Sequence, residues 1–274
     1  LYSGSNHALT MATAGCDATA QSDAYMVAPI AQAGYTIAQA ATGDLDQARA
    51  ALAAIDTSHT GDLRLDGFIG RARAAVLALS GRYDEAAEVT AWSGRQCLAA
   101  TYVEFAALSL YDAVRYGHAA LVVDDLSPLG GPGAAPLVDA MVSHAVAQRD
   151  GNAAALLKTA ETLAEMGAHN LAAEALDDAA RAAPDEVIGG RAATAAALCR
   201  RATPAPNALA RPVDSPLTDR ELDVVERALQ GQPSRVIGEE LFLSVRTVDN
   251  HLARAYRKLA VGGRGDLSAA LTPA

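Results

Sequence analysis

Between residues 217 and 267 the apolar residues follow a helical period that stops and restarts, and each restart carries its own cap signal. The segment reads LTDRELDVVERALQGQPSRVIGEELFLSVRTVDNHLARAYRKLAVGGRGDL. Thr218 and Glu221 have the spacing of a capping box, with Leu217 and Leu222 placed as a hydrophobic staple. Leu222, Val225 and Leu229 then share one helical face, and Gly231 supplies a left-handed stop. A short helix over 234–241 follows, with Ile237, Leu241 and Val236 turned inward and Ser234 as its cap in place of Pro233. After the turn 242–244, Ser244 is the N-cap of a third helix, with Thr247 as its third residue. So closely spaced a set of helices restricts this part of the chain to a small helical domain built on a tight helix pair.

The third helix has two distinct faces. At 100° per residue, Val248, Leu252, Ala255, Tyr256 and Leu259 fall on one side. Arg246, Asn250, Ala253, Arg254 and Arg257 fall opposite, with Thr247, Asp249, His251 and Lys258 on the flanks. An outer face rich in Arg and Asn presents hydrogen-bond donors at the scale of a DNA major groove. Alone, His251 would be an ordinary surface histidine, and the basic residues a solvated face. In this register they favour DNA binding.

Thr218-Asp219-Arg220-Glu221, Gly231, Arg235, Ile237, Leu241, Ser244, Thr247-Val248, His251, Lys258-Leu259, Val261 and Arg264 together resemble the C-terminal DNA-binding domain of the LuxR family, over about 51 of 274 residues. The resemblance implies a four-helix domain whose third helix, 245–258, enters the major groove and whose last helix, 264–271, makes a homodimer. It implies base readout by Asp249, Asn250 and Ala253, and phosphate contacts from Thr247, Arg254, Arg257 and Lys258. Ser234, Arg235, Ser244, Arg246 and His251 complete the expected DNA-binding set. Three departures stand out. Asp249 replaces a common Lys and would repel phosphates, though a carboxylate also accepts from a cytosine amino group. Pro233 stands where a Ser usually caps. Gly238 replaces a common Ala inside a helix, at a cost of about 1 kcal/mol.

Charge separates the chain into unlike parts. The whole carries a net charge of −10, and all of it lies in residues 1–210. From residue 211 onward nine basic and nine acidic residues balance, while 233–264 alone is net +3. An acidic bulk beside a small basic patch opposes non-specific DNA binding, so dimerisation is the expected remedy. Lysine occurs only at 158 and 258, and alanine abounds, a usage that fits a GC-rich bacterial genome. Cys16, Cys97 and Cys199 are isolated, which argues against disulfides and zinc and for a reducing cytoplasm. No apolar run reaches membrane-spanning length. A chain starting on Leu1 is expected to be a piece of a longer protein.

Residues 202–216, ATPAPNALARPVDSP, hold four prolines and no apolar period. They read as a semi-rigid linker with few contacts across it, open to proteases, between a first domain at 1–201 and a second at 217–274. The first domain is rich in helix formers. Gly43, Gly81, Gly117 and Gly151, at spacings of 38, 36 and 34, each end a helix and precede a small-residue helix. The fold class is therefore all-α: a tetratricopeptide-like helical-repeat array followed by the four-helix domain. The tetratricopeptide aromatic positions are mostly absent, Gly167 falls out of period, and 127–136 must be a loop.

No phosphate-binding loop, phospho-receiver pattern or acyl-homoserine lactone pocket is present. Helical repeats before a LuxR-type domain resemble the C-terminal part of large ATP-binding LuxR regulators, which implies a nucleotide-binding module further upstream. Ser3, Ser5 and His7 fall in a start expected to be unordered, and His59, His118, His144 and His169 are scattered. No catalytic, cofactor or metal site is assigned. The expected function is a bacterial transcription regulator, controlled by an unknown protein or small-molecule effector on the repeats. A protein–protein scaffold with a degenerate reader is the alternative.

Overall fold

The computed structural model describes residues 5–23, 27–55, 63–202 and 207–271, and among these there are helices and no strands. An array of antiparallel helices runs through α1 (Ser5–Gln21), α2 (Ala28–Thr42), α3 (Leu45–Ala53), α4 (Leu63–Leu79), α5 (Tyr83–Ala99) and α6 (Val103–Arg115). After the short α7 (Val123–Leu126), flanked by 3₁₀ turns, it continues through α8 (Pro136–Arg149), α9 (Ala153–Glu165), α10 (His169–Ala182) and α11 (Glu186–Arg201). Helix α1 starts at Ser5, so the unordered start expected there is not observed. Ser3 and His59 lie outside the described residues.

The glycine spacing reports real helix ends. Gly81, Gly117, Gly151 and Gly167 sit at φ between +60° and +93°. At each, the following residue donates to the carbonyl five back, as Arg82 does to Leu77 and Ala168 to Leu163, both at 2.9 Å. The period still misleads in two places. Beyond Gly117 the chain enters the turns around α7 rather than a repeat helix. Helix α5 ends on Thr101 at φ 64°, a non-glycine stop that a glycine count cannot find.

Alanine dominates the core because the helices pack closely. Ala33, Ala40, Ala72, Ala86, Ala113 and Ala175 are all fully buried. Where α5 crosses its neighbours even alanine is too large. A Cβ on Gly67 would lie 2.6 Å from Cys97 Sγ, and one on Gly94 2.6 Å from the Leu110 side chain. The cysteines are free thiols, and burial pushes the Cys97 and Cys199 pKa values up.

Charged groups line the inner side of the array. Arg71 of α4 donates to Asp112 of α6 at 2.7 Å. Arg115 grips Glu174 of α10 with two bonds, at 2.7 and 2.8 Å. Fully formed, such buried pairs fix how helices meet; losing one partner typically costs about 3–5 kcal/mol.

The proline-rich segment differs from the expectation of few contacts. Residues 203–206 lie outside the described residues, but 207–216 form a strap laid along the array. Asn207 donates to Glu174 at 3.0 Å, Ala208 N–H to the Ala41 carbonyl at 3.0 Å, and Val213 N–H to Asp177 at 3.0 Å. Leu209 is buried in the array's core. The Arg211 guanidinium donates to the Tyr116 carbonyl at 2.9 Å and lies over the Tyr83 ring. Gly117 leaves room for it, since a Cβ there would fall 1.6 Å from Arg211 Nη1. Proline removes donors and stiffens the chain; here Asn207, Leu209, Arg211 and the N–H groups of Ala208 and Val213 are directed at the array.

Gly94→Ala separates close packing from helix propensity. Propensity alone would favour Ala by about 1 kcal/mol. Overpacking against Leu110 should instead destabilise by about 1–3 kcal/mol, read as a lower urea midpoint. A raised midpoint would show that α5 and α6 have room to spare.

Candidate nucleic-acid interface

The C-terminal domain comprises α12 (Asp219–Leu229), α13 (Ser234–Leu241), α14 (Val245–Lys258) and α15 (Arg264–Leu271). Its first cap forms as the sequence implies. Glu221 N–H donates to Thr218 Oγ1 at 3.3 Å, and Thr218 N–H to Glu221 Oε2 at 2.9 Å. Leu217 and Leu222 are both buried in the domain core. The inner face of α12 is Leu222, Val224, Val225 and Ala228, whereas Leu229 is 37% exposed and does not belong to it. Helix α13 begins on Ser234 with no side-chain cap, so Ser234 is its first residue rather than its cap.

Gly238 proves to be required by the turn. Leu243 N–H donates to the Gly238 carbonyl at 2.8 Å, and a Cβ on Gly238 would sit 2.7 Å from Leu243 O. A residue that weakens an isolated helix lets the two helices of the pair meet closely. Phe242 completes this turn at φ 55° and is 95% exposed.

Helix α14 has the two faces read from the sequence. Val248, Leu252, Ala255 and Leu259 are buried, with Tyr256 packed beside them. Arg246, Asp249, Asn250, Ala253, Arg254 and Arg257 are exposed, and Thr247 and His251 are half-buried. Ser244 accepts from Thr247 N–H at 3.1 Å, which leaves the helix start outward and capped. Among the described residues none of Arg246, Arg254 and Arg257 is paired with a carboxylate, while Arg235 lies 3.8 Å from Glu239. Three guanidiniums on one exposed stripe, without internal partners, form a surface for an anionic ligand.

Lys258, from which the resemblance implies a phosphate contact, is engaged within the domain: its ammonium donates to Glu221 at 2.7 Å and to the Pro216 carbonyl at 2.9 Å. Burial pushes the Glu221 pKa up; the bonds from Lys258 and Thr218 outweigh this and hold it below the usual carboxylate range. Lys258 therefore joins the end of α14 to the start of α12. Sequence spacing could not reveal a pair 37 residues apart.

The domain is also tied to the array. Arg191 of α11 donates to the carbonyls of Leu259 and Ala260, each at 2.8 Å. A cation here satisfies the open C-terminal end of α14 and its dipole. Arg201 reaches Asp223 at 2.8 Å and Asp219 at 3.1 Å. Among the described residues no cluster of His, Cys, Asp and Glu suits a metal ion, and no helix is long and apolar enough to cross a membrane.

A short scaffold helix, a tight turn and a longer, capped helix with a free cationic face define a helix-turn-helix domain. Residues 215–270 match the family of bacterial regulatory proteins, luxR family, and this part of the chain is a LuxR-family helix-turn-helix domain. The spore germination protein GerE of Bacillus subtilis is 46% identical over 48 residues, covering 18% of this chain and 65% of GerE. No solved structure matches the chain.

Replacing Lys258 by Met should destabilise the domain by about 1–3 kcal/mol at pH 7, because Glu221 loses its cation while buried. A carboxylate with a depressed pKa stabilises above its unfolded value, and that contribution is lost as pH falls through the folded value. The variant should therefore lose less stability on acidification below the ordinary glutamate range than the parent does. Thermal melts across pH measure both effects; identical acid limbs would remove Glu221–Lys258 as their cause.

Proposed function

We propose that this chain is a transcription regulator that binds duplex DNA through α14. The single observation that carries this is the unpaired, exposed stripe of Arg246, Arg254 and Arg257 on a helix whose other face is fully packed. Asn250 stands within that stripe and offers an amide that donates and accepts at an adenine edge. Asp249 beside it repels phosphates and suits a cytosine amino group. Ala253 leaves room for close approach. Thr247, Arg254 and Arg257 anchor phosphates, with Ser234, Arg235, Ser244, Arg246 and His251 around them.

Dimerisation through 264–271 belongs to the same proposal. Leu267 and Leu271 face the domain core, and Gly265 and Ala269 lie outward as small residues. The helical array at 1–201 receives the controlling signal, and the protein acts in the cytoplasm. The nearly balanced charge of the C-terminal domain and the acidic array favour weak non-specific binding, which makes base readout the main source of affinity.

Two substitutions separate anchoring from readout. Arg257→Ala should weaken binding similarly on every sequence and reduce the salt slope by about one unit. Asn250→Ala should relax preference at one base pair by roughly 1–3 kcal/mol and leave non-specific affinity nearly intact. Sites selected from random duplexes at one salt concentration, with affinities titrated against salt, decide the matter. No measurable duplex binding by the full chain at low salt would instead favour a protein–protein scaffold.

A further inference from the structure

The strap 207–216 lies against a charged part of the array, and it satisfies groups that cannot be left buried alone. Glu174 is 6% exposed and Asp177 1% exposed. Glu174 accepts from Asn207 Nδ2 in addition to Arg115, and Asp177 accepts from Val213 N–H in addition to Arg200. At the centre Leu209 enters the apolar core, and Arg211 lies between the Tyr116 carbonyl and the Tyr83 ring. The seat thus reads three side chains, an amide at 207, a branched apolar group at 209 and a guanidinium at 211, of a segment that enters through a turn in which Ala210 N–H donates to the Asn207 carbonyl at 3.1 Å.

A cavity of about 30 Å³ lies beside Asn207 and Leu209, walled by Arg71, Asp112 and Asn170, with room for a water molecule. Pro212 and Pro216 lie on exposed positions, and the segment holds its seat through few backbone bonds. A ligand held by a handful of side chains and few backbone bonds is one that another peptide can displace.

We propose that this groove is a peptide-binding site occupied in cis by the chain's own strap. Its other ligand is a segment of a partner protein that carries an amide, a leucine-like residue and an arginine at the spacing of Asn207, Leu209 and Arg211, with a turn at its start. The strap runs directly into Leu217 and the capping box of α12, so exchange in the groove changes the tether of the reader. This deepens the regulatory reading above, on which it rests, by giving the effector a chemical class. Peptide exchange is measured without DNA, so either idea can fail alone.

The experiment uses a fluorescent peptide with the sequence of residues 207–216, NALARPVDSP, and the full chain. A tethered strap competes at an effective concentration on the order of millimolar, so the parent chain should bind the peptide weakly. The chain carrying Leu209→Ser and Arg211→Ala should bind it at least ten-fold more tightly. Adding Glu174→Gln to that variant should abolish the gain, as should replacing the peptide's own arginine by alanine. Equal, weak binding by parent and variant, with helical content preserved, overturns the proposal. If the variant loses its fold, hydrogen exchange in the parent decides. The amides of Ala208 and Val213 should exchange faster with millimolar peptide, and unchanged protection overturns it. A strap variant that instead forms concentration-dependent dimers excluding the peptide would assign the groove to a second copy and also overturn it.

Discussion

The two-pronged bond between Arg115 and Glu174 is the interaction on which the assembly turns. It joins α6 to α10 across the inside of the array, and both residues take further partners there. Arg115 shares Asp112 with Arg71, which brings in α4; Glu174 shares Asn207, which brings in the strap. Because these charges are buried, each requires the others in place. The alanine-rich packing sets how closely helices approach, and Gly67 and Gly94 mark places of very close approach. The ionic chain adds direction, since a guanidinium fork meets a carboxylate in one plane and at one spacing. Polar specificity set on a small-residue core gives the array one arrangement.

The local chemistry of the reader was legible in the sequence, and the long-range chemistry was not. Capping at Thr218 and Ser244, and the opposed faces of α14, follow from spacings of three and four within a single helix. Lys258 with Glu221, Arg191 with the Leu259 carbonyl, and Leu229 turned to solvent all depend on how helices pack, which no helical period encodes. Gly238 looked like a weakness because propensity measures an isolated helix; the turn needs the space that a Cβ would fill. The same reason explains the proline-rich segment. Composition tells that it lacks regular structure, and contacts tell that it is nevertheless held. In the array, the glycines marked helix ends correctly, while Thr101 and the turns around α7 broke the period without any sequence signal.

Electrostatics divides labour within the C-terminal domain. Arg227 and Lys258 are paired with carboxylates and hold the domain together, while Arg201 of α11 pairs with Asp223 and ties it to the array. Arg246, Arg254 and Arg257 are left without such partners among the described residues and face outward together. A formal charge count cannot separate these two groups, which is why the domain's balanced total understates its capacity to meet a polyanion. Asp249 lies exposed among the free arginines and lowers the local positive potential.

The central claim is that the exposed face of α14 meets duplex DNA. A photo-crosslinking residue placed at Ala253, at the middle of that face, tests it most directly. Crosslinks to duplex bases should form from position 253 and not from Trp92, which is exposed on the array. Equal yields from both positions, or DNA bound without any crosslink from 253, would contradict the account.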